Sequence, residues 1–528
     1  MKSARLFVLV TILALLCAPV AKAQEKAERL GKVHFPVSCN AEAQTQFDRA
    51  VALLHNFWFQ ESDKAFAAVG QVDPSCAMAY WGIAMGQRLN PISNIPNAAA
   101  LKKGWTAVEK AKSVGAKTER ERDYIAAVEA FYKDSEKVDH QSRSLAYEKW
   151  MEQIYTRYRE DREAAILYAL ALLPNEATLS TDKSYAKQSK AGAILEKIFA
   201  EQPNQPGVAH YIIHAYDYPA LAGRALPAAR RYDKIAASSE HALHMPSHIY
   251  TRLGLWQESI QSNLAAAAAA KNYDLPSPLH IFNFLMEAYL ESARDREAKG
   301  ILDELNAIQN VRDTLGAAVV VAGVPARYAL ARKQWTEAAS LQPRPSRFPY
   351  AEAITHFARA IGSARSGDGA SARKNVEKLQ SLRDAAAQAK QNYWAQQIEI
   401  QRSAAAAWLA HVEGKNEEAL KLMRAAADLE ESTQEHQTAR DAIIPARQLL
   451  GDMLIELGKP GEALKEFETS INKEPNRFYG LYGAARAAEL SGNQQKARAF
   501  YEKLVAVCAN ADTERPELTK AKTFLTKK

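Results

Sequence analysis

Four histidines in the middle of the chain have a spacing that could bring four imidazoles together. His210 and His214 lie four residues apart, and His244 and His248 lie four residues apart. On an α-helix, residues four apart share a face. Each histidine of the second pair follows its counterpart in the first pair by 34 positions. If the chain repeats with that period, the four side chains occupy equivalent places on two neighbouring helices.

Imidazole nitrogens at such places suit Zn²⁺ or another borderline transition ion. The ligands would be all four histidines, or three of them with Glu287. A closed site of four histidines would be structural. A site with three protein ligands keeps a position open for water or substrate. Two other interpretations remain open: direct contact of the imidazoles with an anionic ligand, and ordinary packing of polar groups against neighbouring turns. Pro246 predicts a kink near Ala242 in a helix that begins at Ser239.

The elements that carry these histidines follow from a helical period that is clearest near the C-terminus. Ala463 and Phe467 are followed, 34 residues later, by Ala497 and Tyr501. Small residues let two helices cross closely, the aromatic ring fills the gap beside them, and Pro475 ends the second helix. This spacing predicts a helix-turn-helix unit that recurs.

The same pattern is present near the N-terminus, where Ser62, Phe66 and Pro74 have mutual spacings of 4 and 8. Looser copies between these two ends predict roughly eight to ten helix pairs and no sheet. Proline-containing loops at 88–97 and 174–185 interrupt the period, and the polar C-terminal segment is expected to cap the array.

These residues resemble the tetratricopeptide repeat. With the segments LLHNFWFQESDKAF, DPSCAMAYWGIAM, AHYIIHAYD and HALHMPSHIYTRLG, the chain is similar to a group of bacterial secreted tetratricopeptide repeat proteins without an established activity. The resemblance covers most of the chain. It implies an all-α, right-handed superhelical solenoid of antiparallel helix pairs, whose concave groove holds a protein or peptide partner.

The resemblance also implies which side chains line the groove. If Ser259 is the small residue of the second helix in its repeat, the four histidines of the two pairs fall on groove positions. His241 then lies on the same face one turn earlier. The corresponding groove positions of other repeats are His280, Asn283 and Glu287 in the following repeat and His55 in the first one.

The first residues have the features of a signal peptide. Lys2 and Arg5 precede an apolar run over 6–16, and the small residues of 21–23 form a cleavage site before Gln24. The run is too short for a convincing membrane span. We therefore expect export to the periplasm or beyond. The predicted organisation is a signal peptide at 1–23, N-terminal repeats with the loop insertion at 24–140, central repeats with the histidines at 141–310, and C-terminal repeats with a capping helix at 311–528.

Three cysteines remain after such cleavage: Cys39, Cys76 and Cys508. No CxxC motif is present, so a zinc ribbon or a thioredoxin-like site is not indicated. Cys39 precedes the first helix of the first repeat and Cys76 opens the first helix of the second. In an oxidising compartment these two are predicted to form a disulfide. The alternative is three buried free thiols.

Charge and motifs limit the classes of function. The formal net charge is +7 and falls to +4 without Lys2, Arg5 and Lys22, which is too weak for a nucleic-acid surface. GxSxG, HExxH, P-loop and GxGxxG motifs are absent, so no catalytic residue is assigned. A scaffold that presents a histidine-lined groove to a protein or peptide is the first hypothesis. A metal-binding protein or metal-dependent enzyme with zinc or a similar ion is the second.

Overall fold

The computed structural model describes residues 28–92, 94–173, 183–272, 279–311, 313–433 and 442–526. Throughout these residues the secondary structure is α-helical, without strands. The helices are α1 Ala41–His55, α2 Phe59–Val72, α3 Ala77–Gln87, α4 Ala98–Val114, α5 Glu119–Tyr132, α6 His140–Arg157, α7 Arg162–Ala171, α8 Ala186–Glu201, α9 Pro206–Tyr216, α10 Ala222–Ile235, α11 Glu240–His244, α12 Pro246–Arg252, α13 Trp256–Asn272, α14 Leu279–Glu291, α15 Asp295–Ala307, α16 Leu315–Leu330, α17 Trp335–Ser340, α18 Pro349–Arg365, α19 Gly369–Gln388, α20 Asn392–Val412, α21 Asn416–Ser432, α22 Ala446–Glu456, α23 Pro460–Lys473, α24 Phe478–Leu490, α25 Gln494–Val507 and α26 Pro516–Thr526.

The helices form a solenoid in which each packs against the next along the chain. Counting α11 and α12 as one arm, the described residues contain twelve helix hairpins, from α1–α2 to α24–α25, followed by the single helix α26. The all-α solenoid is therefore confirmed, but the predicted eight to ten pairs were too few. The pair α5–α6 was missed because its sequence lacks the small-aromatic-proline spacing.

Small residues allow the close crossings that this spacing predicts. Phe467 on α23 is completely buried and lies between glycines of the first helices of two consecutive repeats. A Cβ atom at Gly451 would lie 2.6 Å from the Phe467 ring, and one at Gly483 would lie 2.3 Å from it. Phe66 fills the same place in the first repeat, against Gly82. Each ring thus joins two hairpins, and any larger residue at these glycines would push them apart.

The solenoid closes on itself at two places. In the N-terminal half, α1 contacts α9, and the backbone N–H of Lys32 donates to the carbonyl of Asn204 at 2.9 Å. In the C-terminal half, α14 contacts α24, and the Trp256 indole N–H donates to the carbonyl of Asn476 at 2.7 Å. The stack therefore contains two turns, one closed by α1 against α9 and the other by α14 against α24.

Cysteine chemistry differs between the two turns. Cys39 and Cys76 are joined by a disulfide, the pairing that the sequence predicts. Cys508 is a free thiol near the end of α25, and burial raises its pKa to about 12. A thiol with so high a pKa is a poor nucleophile.

Several sequence predictions lie wholly or mainly outside the described residues. The signal peptide at 1–23 is among them, as is most of the loop at 174–185. The insertion at 88–97 lies between α3 and α4, as expected. None of the described helices is long and apolar enough to cross a membrane.

Candidate metal centre

Histidine side chains from four helices form one continuous layer inside the solenoid. Neighbouring rings in this layer have centroids 4.4 to 6.5 Å apart. The layer, called the histidine layer below, consists of His210 and His214 on α9, His241 and His244 on α11, His248 on α12 and His280 on α14.

The break between α11 and α12 keeps both parts of the layer aligned. Ser239 caps α11, and its hydroxyl accepts from the Ala242 backbone N–H. Met245, between the two helices, keeps helical dihedral angles (φ −54°, ψ −35°). Pro246 begins α12, where its missing N–H costs little. The interruption lies at Met245 instead of the predicted kink at Ala242, and His244 stays on a helix in register with His248.

Within this layer, three imidazoles converge on one point. The His210 Nε2 atom lies 3.0 Å from His214 Nε2 and 3.1 Å from His241 Nε2. Ligand atoms of all three residues fall within 4.8 Å of one another. In a tetrahedral zinc site with Zn–N bonds of 2.0–2.1 Å, neighbouring nitrogens are about 3.3 Å apart. The separations of His210 Nε2 from the other two nitrogens are close to this value, and a small movement of the His214 and His241 rings towards each other would place all three nitrogens on a single ion.

The tautomer of His210 is fixed by the backbone. Its Nδ1 lies 2.6 Å from the carbonyl oxygen of His55, which can only accept, so Nδ1 carries the hydrogen. Burial, followed by the neighbouring imidazole of His214, holds the pKa of His210 well below its ordinary value. The ring is therefore neutral near pH 7, with its lone pair on Nε2. A ring N–H bound to a backbone carbonyl is typical of histidines that coordinate a metal.

The other two members of the triad are also neutral. Burial is the main cause that holds the pKa values of His214 and His241 well below the ordinary range. His210 and His214 are completely or almost completely buried, whereas His241 is half-buried. The triad is thus closed on the α9 side and accessible beside His241.

An aromatic side chain covers the triad. Phe57, in the turn between α1 and α2, has a left-handed backbone with φ 55°. Its ring meets His210 edge-on at 4.4 Å between centroids and is stacked on His214 and His241 at 5.8 and 5.5 Å. A left-handed conformation is costly for a phenylalanine. The conformation places this ring against all three imidazoles.

The remaining histidines of the layer form a second group. His244 Nε2 lies 3.1 Å from His248 Nε2, and the His280 ring meets His244 edge-on at 4.4 Å. The ring of Phe284 packs on both members of the pair, at 5.1 and 4.7 Å. The four histidines predicted as one site are thus divided between two groups. His241 and His280, predicted as groove contacts, belong with them.

His55 does not face a groove, and that prediction was wrong. Its side chain is completely buried, where Nε2 pairs with the Glu163 carboxylate at 2.8 Å and Nδ1 lies 3.0 Å from the Tyr211 hydroxyl. Closure of α1 against α9 buries this side chain. The contribution of His55 to the triad is its backbone carbonyl.

Glu287 pairs with arginine side chains and is not part of the histidine layer. Its carboxylate receives the Arg477 guanidinium at 2.9 Å and lies 3.8 Å from that of Arg327. The structure therefore places Glu287, the predicted alternative ligand beside three histidines, in a buried ion cluster. Asn283, one turn earlier on α14, is half-buried, and His280 is exposed, so these two predicted groove residues are accessible.

Sequence reasoning missed the side chains that orient the second group. Asp217 follows α9 and bonds His248, while Asn263 on α13 bonds His244. Asp217 stands three residues after His214, so an acidic residue beside a histidine pair was a usable signal. Nothing in the spacing of Asn263 or Phe57 indicates their roles, because these depend on helix packing.

Comparisons with known proteins give a fold likeness and no family. No known family profile matches the chain, and no curated protein sequence matches it. Among solved structures, the human IFIT1 dimer with m7Gppp-AAAA is 11% identical, with 82% of this chain and 90% of that chain covered and a TM-score of 0.37.

Two further structures have similar values. A monomeric mutant of IFIT1 with Gppp-AAAA is 12% identical over 89% of this chain and 98% of that chain, with a TM-score of 0.38. Naa15/Naa10 bound to HypK-THB is 10% identical, with 92% of this chain and 91% of that chain covered and a TM-score of 0.23. The chain is similar to these proteins in its helical-repeat architecture alone.

Proposed function

We propose that this protein binds a divalent transition-metal ion, Zn²⁺ or Cu²⁺, through His210, His214 and His241. The observation that carries the proposal is the convergence of three Nε2 atoms at 3.0 and 3.1 Å around His210. Imidazole is a favoured ligand of both ions. The helical solenoid supplies a rigid frame that holds the three rings from two consecutive repeats.

Hydrogen bonding alone explains this convergence less well. His210 Nε2 has one lone pair, because Nδ1 donates to the His55 carbonyl. That lone pair can accept one good hydrogen bond, yet two imidazole nitrogens lie within 3.1 Å of it. A metal ion would use a lone pair from each ring, and their low pKa values keep these lone pairs available at neutral pH.

Three imidazole ligands leave a coordination position open. His241 is the half-buried member of the triad, so a small molecule would reach the ion on its side. The site has the ligand set of a catalytic rather than a closed structural centre. Export remains part of the proposal, and the Cys39–Cys76 disulfide supports it, because disulfides persist in oxidising compartments.

The test is metal titration of chelator-stripped protein by isothermal calorimetry. Wild-type protein should bind Zn²⁺, and His241→Ala should lose at least 10-fold in affinity at this site, since one of three ligands is removed. His241 is chosen because it is half-buried, so its removal disturbs packing least. His140→Gln is the matched control, a histidine of α6 distant in sequence from the layer. Equal Zn²⁺ binding by wild-type protein and His241→Ala would refute the proposal.

A second candidate function is peptide binding at a separate cavity. A cavity of about 660 Å³ lies between α15, α16 and the segment after α17. Apolar side chains such as Leu302, Leu305 and Val321 line it, and the exposed Arg344 lies at its edge. The lining favours an apolar peptide, because the acidic Asp313 and Glu337 offset the two arginines of the cavity. Peptides selected from a displayed library should lose 10-fold or more in affinity for Val321→Arg, and unchanged affinity would exclude this cavity.

A further inference from the structure

The orientation of His244 is set by a buried amide. Its Nδ1 lies 2.7 Å from Asn263 Oδ1. The amide cannot be flipped without loss, because Asn263 Nδ2 donates to the Ser259 carbonyl at 2.8 Å. Oδ1 accepts, so the hydrogen of His244 is on Nδ1. The lone pair of this ring is therefore on Nε2.

His248 is oriented in the same way by a carboxylate. Its Nδ1 lies 2.8 Å from Asp217 Oδ2, and the other oxygen of Asp217 accepts from Arg252 Nε at 2.9 Å. Arg252 and Asp217 are both buried, so this ion pair keeps Asp217 an ionised acceptor at both oxygens. His248 donates from Nδ1, and in its neutral form it too has its lone pair on Nε2.

The two Nε2 atoms therefore face each other, lone pair to lone pair, at 3.1 Å. Such a contact is repulsive unless a cation lies between the nitrogens. A proton would convert one ring to an imidazolium, and a metal ion would be shared by both rings. The separation fits the distance of about 3.3 Å between ligand nitrogens on a tetrahedral zinc ion. The buried partners Asp217 and Asn263 are those that orient metal-binding histidines elsewhere.

We infer that His244 and His248 hold a second divalent transition-metal ion through their Nε2 atoms, next to the ring of His280, which meets His244 edge-on. This inference extends the proposed function, and the histidine layer then contains two adjacent metal sites. Rings of the two groups are neighbours. The centroids of His214 and His248 are 6.5 Å apart, and those of His241 and His244 are 6.4 Å apart. Phe57 covers one site and Phe284 covers the other.

Each site has one accessible imidazole beside it, His241 on α11 and His280 on α14. His241 is half-buried and His280 is exposed, whereas the other four rings are buried. An open position on each ion would therefore lie towards the accessible members. The ligand class expected at such an open position is a small anion or water.

The experiment counts Zn²⁺ bound per chain by equilibrium dialysis and elemental analysis. Wild-type protein should hold two ions, His241→Ala one, His244→Gln one, and the double variant none. Asp217→Asn should weaken the second site 10- to 100-fold by removing the carboxylate that orients His248, with the first site unchanged. Because His244 and Asp217 are buried, anomalous scattering at the zinc edge from crystals of wild-type protein serves as a variant-free measurement, and two peaks are expected.

The outcomes separate this inference from the proposed function. One ion that is lost in His241→Ala and kept in His244→Gln, or one anomalous peak beside His210, would overturn the second site and leave the first. One ion that is lost in His244→Gln and kept in His241→Ala would support the second site and overturn the first. No bound Zn²⁺ in wild-type protein would overturn both, and a proton would then separate His244 from His248.

Discussion

Two buried polar regions occupy the same repeat positions on neighbouring first helices and differ in chemistry. His244 and His248 have their register equivalents, 39 residues later, in Asn283 and Glu287. In the histidine layer, the three rings of the triad are neutral. Ring nitrogens of the layer face one another at 3.0 to 3.1 Å. The other region, called the ion cluster, consists of Glu287, Glu291, Arg327 and Arg477. There, opposite charges satisfy one another directly.

The source of this difference is the helix that closes each turn. In the ion cluster, α24 meets α14, and its N-cap residue Arg477 pairs with Glu287 and Glu291, both at 2.9 Å. In the histidine layer, α1 approaches α9 and supplies a backbone carbonyl from His55. A carbonyl carries no net charge that would pair with an imidazolium as a carboxylate does, and burial keeps the rings of the triad neutral. The same repeat position thus becomes a ligand site or an ion pair according to what closes on it.

Among the variants that test this difference, the one without Arg477 should lose the most stability. Arg477→Met leaves two buried carboxylates with their main partner gone, and loss of one partner of a buried pair costs about 3–5 kcal/mol of unfolding free energy. Denaturant unfolding followed by circular dichroism measures the change. The control is Arg424→Met, because Arg424 pairs with Glu462 at an exposed site and should change stability by less than about 1 kcal/mol. Equal effects of the two variants would contradict the buried role of Arg477.

The disulfide offers the next largest effect, because it fastens only the N-terminal turn. Replacement of Cys39 and Cys76 by alanine frees a loop with a sequence separation of 37. The chain-entropy model gives a loss of roughly 3–4 kcal/mol. Limited proteolysis should then cut the N-terminal turn before the C-terminal one. Unchanged thermal stability of the double variant would show that the bridge has no stabilising role.

Zinc should stabilise the histidine layer and leave the ion cluster unaffected. At a free Zn²⁺ concentration 100 times the dissociation constant, binding to one site adds about 2.7 kcal/mol to the unfolding free energy. Wild-type protein and Arg477→Met should gain by the same amount in a thermal melt. His241→Ala should gain less, since its triad is incomplete. A full zinc effect in His241→Ala would place the stabilising ion elsewhere.

His140 should show the smallest effect and distinguishes a packed histidine from a ligand. Its ring lies edge-on to Phe131, and burial, followed by Arg143 and Arg88, lowers its pKa to about 4. The unfolded chain takes up this proton near pH 6.5 and the folded chain only near pH 4, so stability is lost as pH falls through that window. Because the ring is partly exposed, the loss is roughly 1 kcal/mol.

His140→Gln removes this contribution. Unfolding free energies at pH 7 and pH 4.5 should therefore differ less in the variant than in wild-type protein, while Zn²⁺ binding is unchanged. An identical pH dependence of the two proteins would show that His140 does not titrate in this window.

The sequence predicted the parts of the molecule that depend on local spacing. The positions of Phe66 and Phe467, the disulfide and the alignment of His210 with His244 all follow from contacts within one repeat or between neighbours. Local spacing did not predict the division of the histidines into two groups. Phe57 and Asn263 contribute through packing angles, and Glu287 was misplaced because Arg477, 190 residues away, determines its partner.

The closures of the solenoid also bear on how the protein is synthesised. An open array of repeats can fold from one end while the remainder is still being made, since each repeat contacts only its neighbours. Here the carbonyl of His55 meets His210 across 155 residues, and Trp256 meets Asn476 across 220. The nascent N-terminal turn must wait for α9 before it can close, and the C-terminal turn must wait for α24. Contacts of such long range slow folding, so a chaperone that shields the early helices should increase the yield of this protein more than that of an open array of equal length.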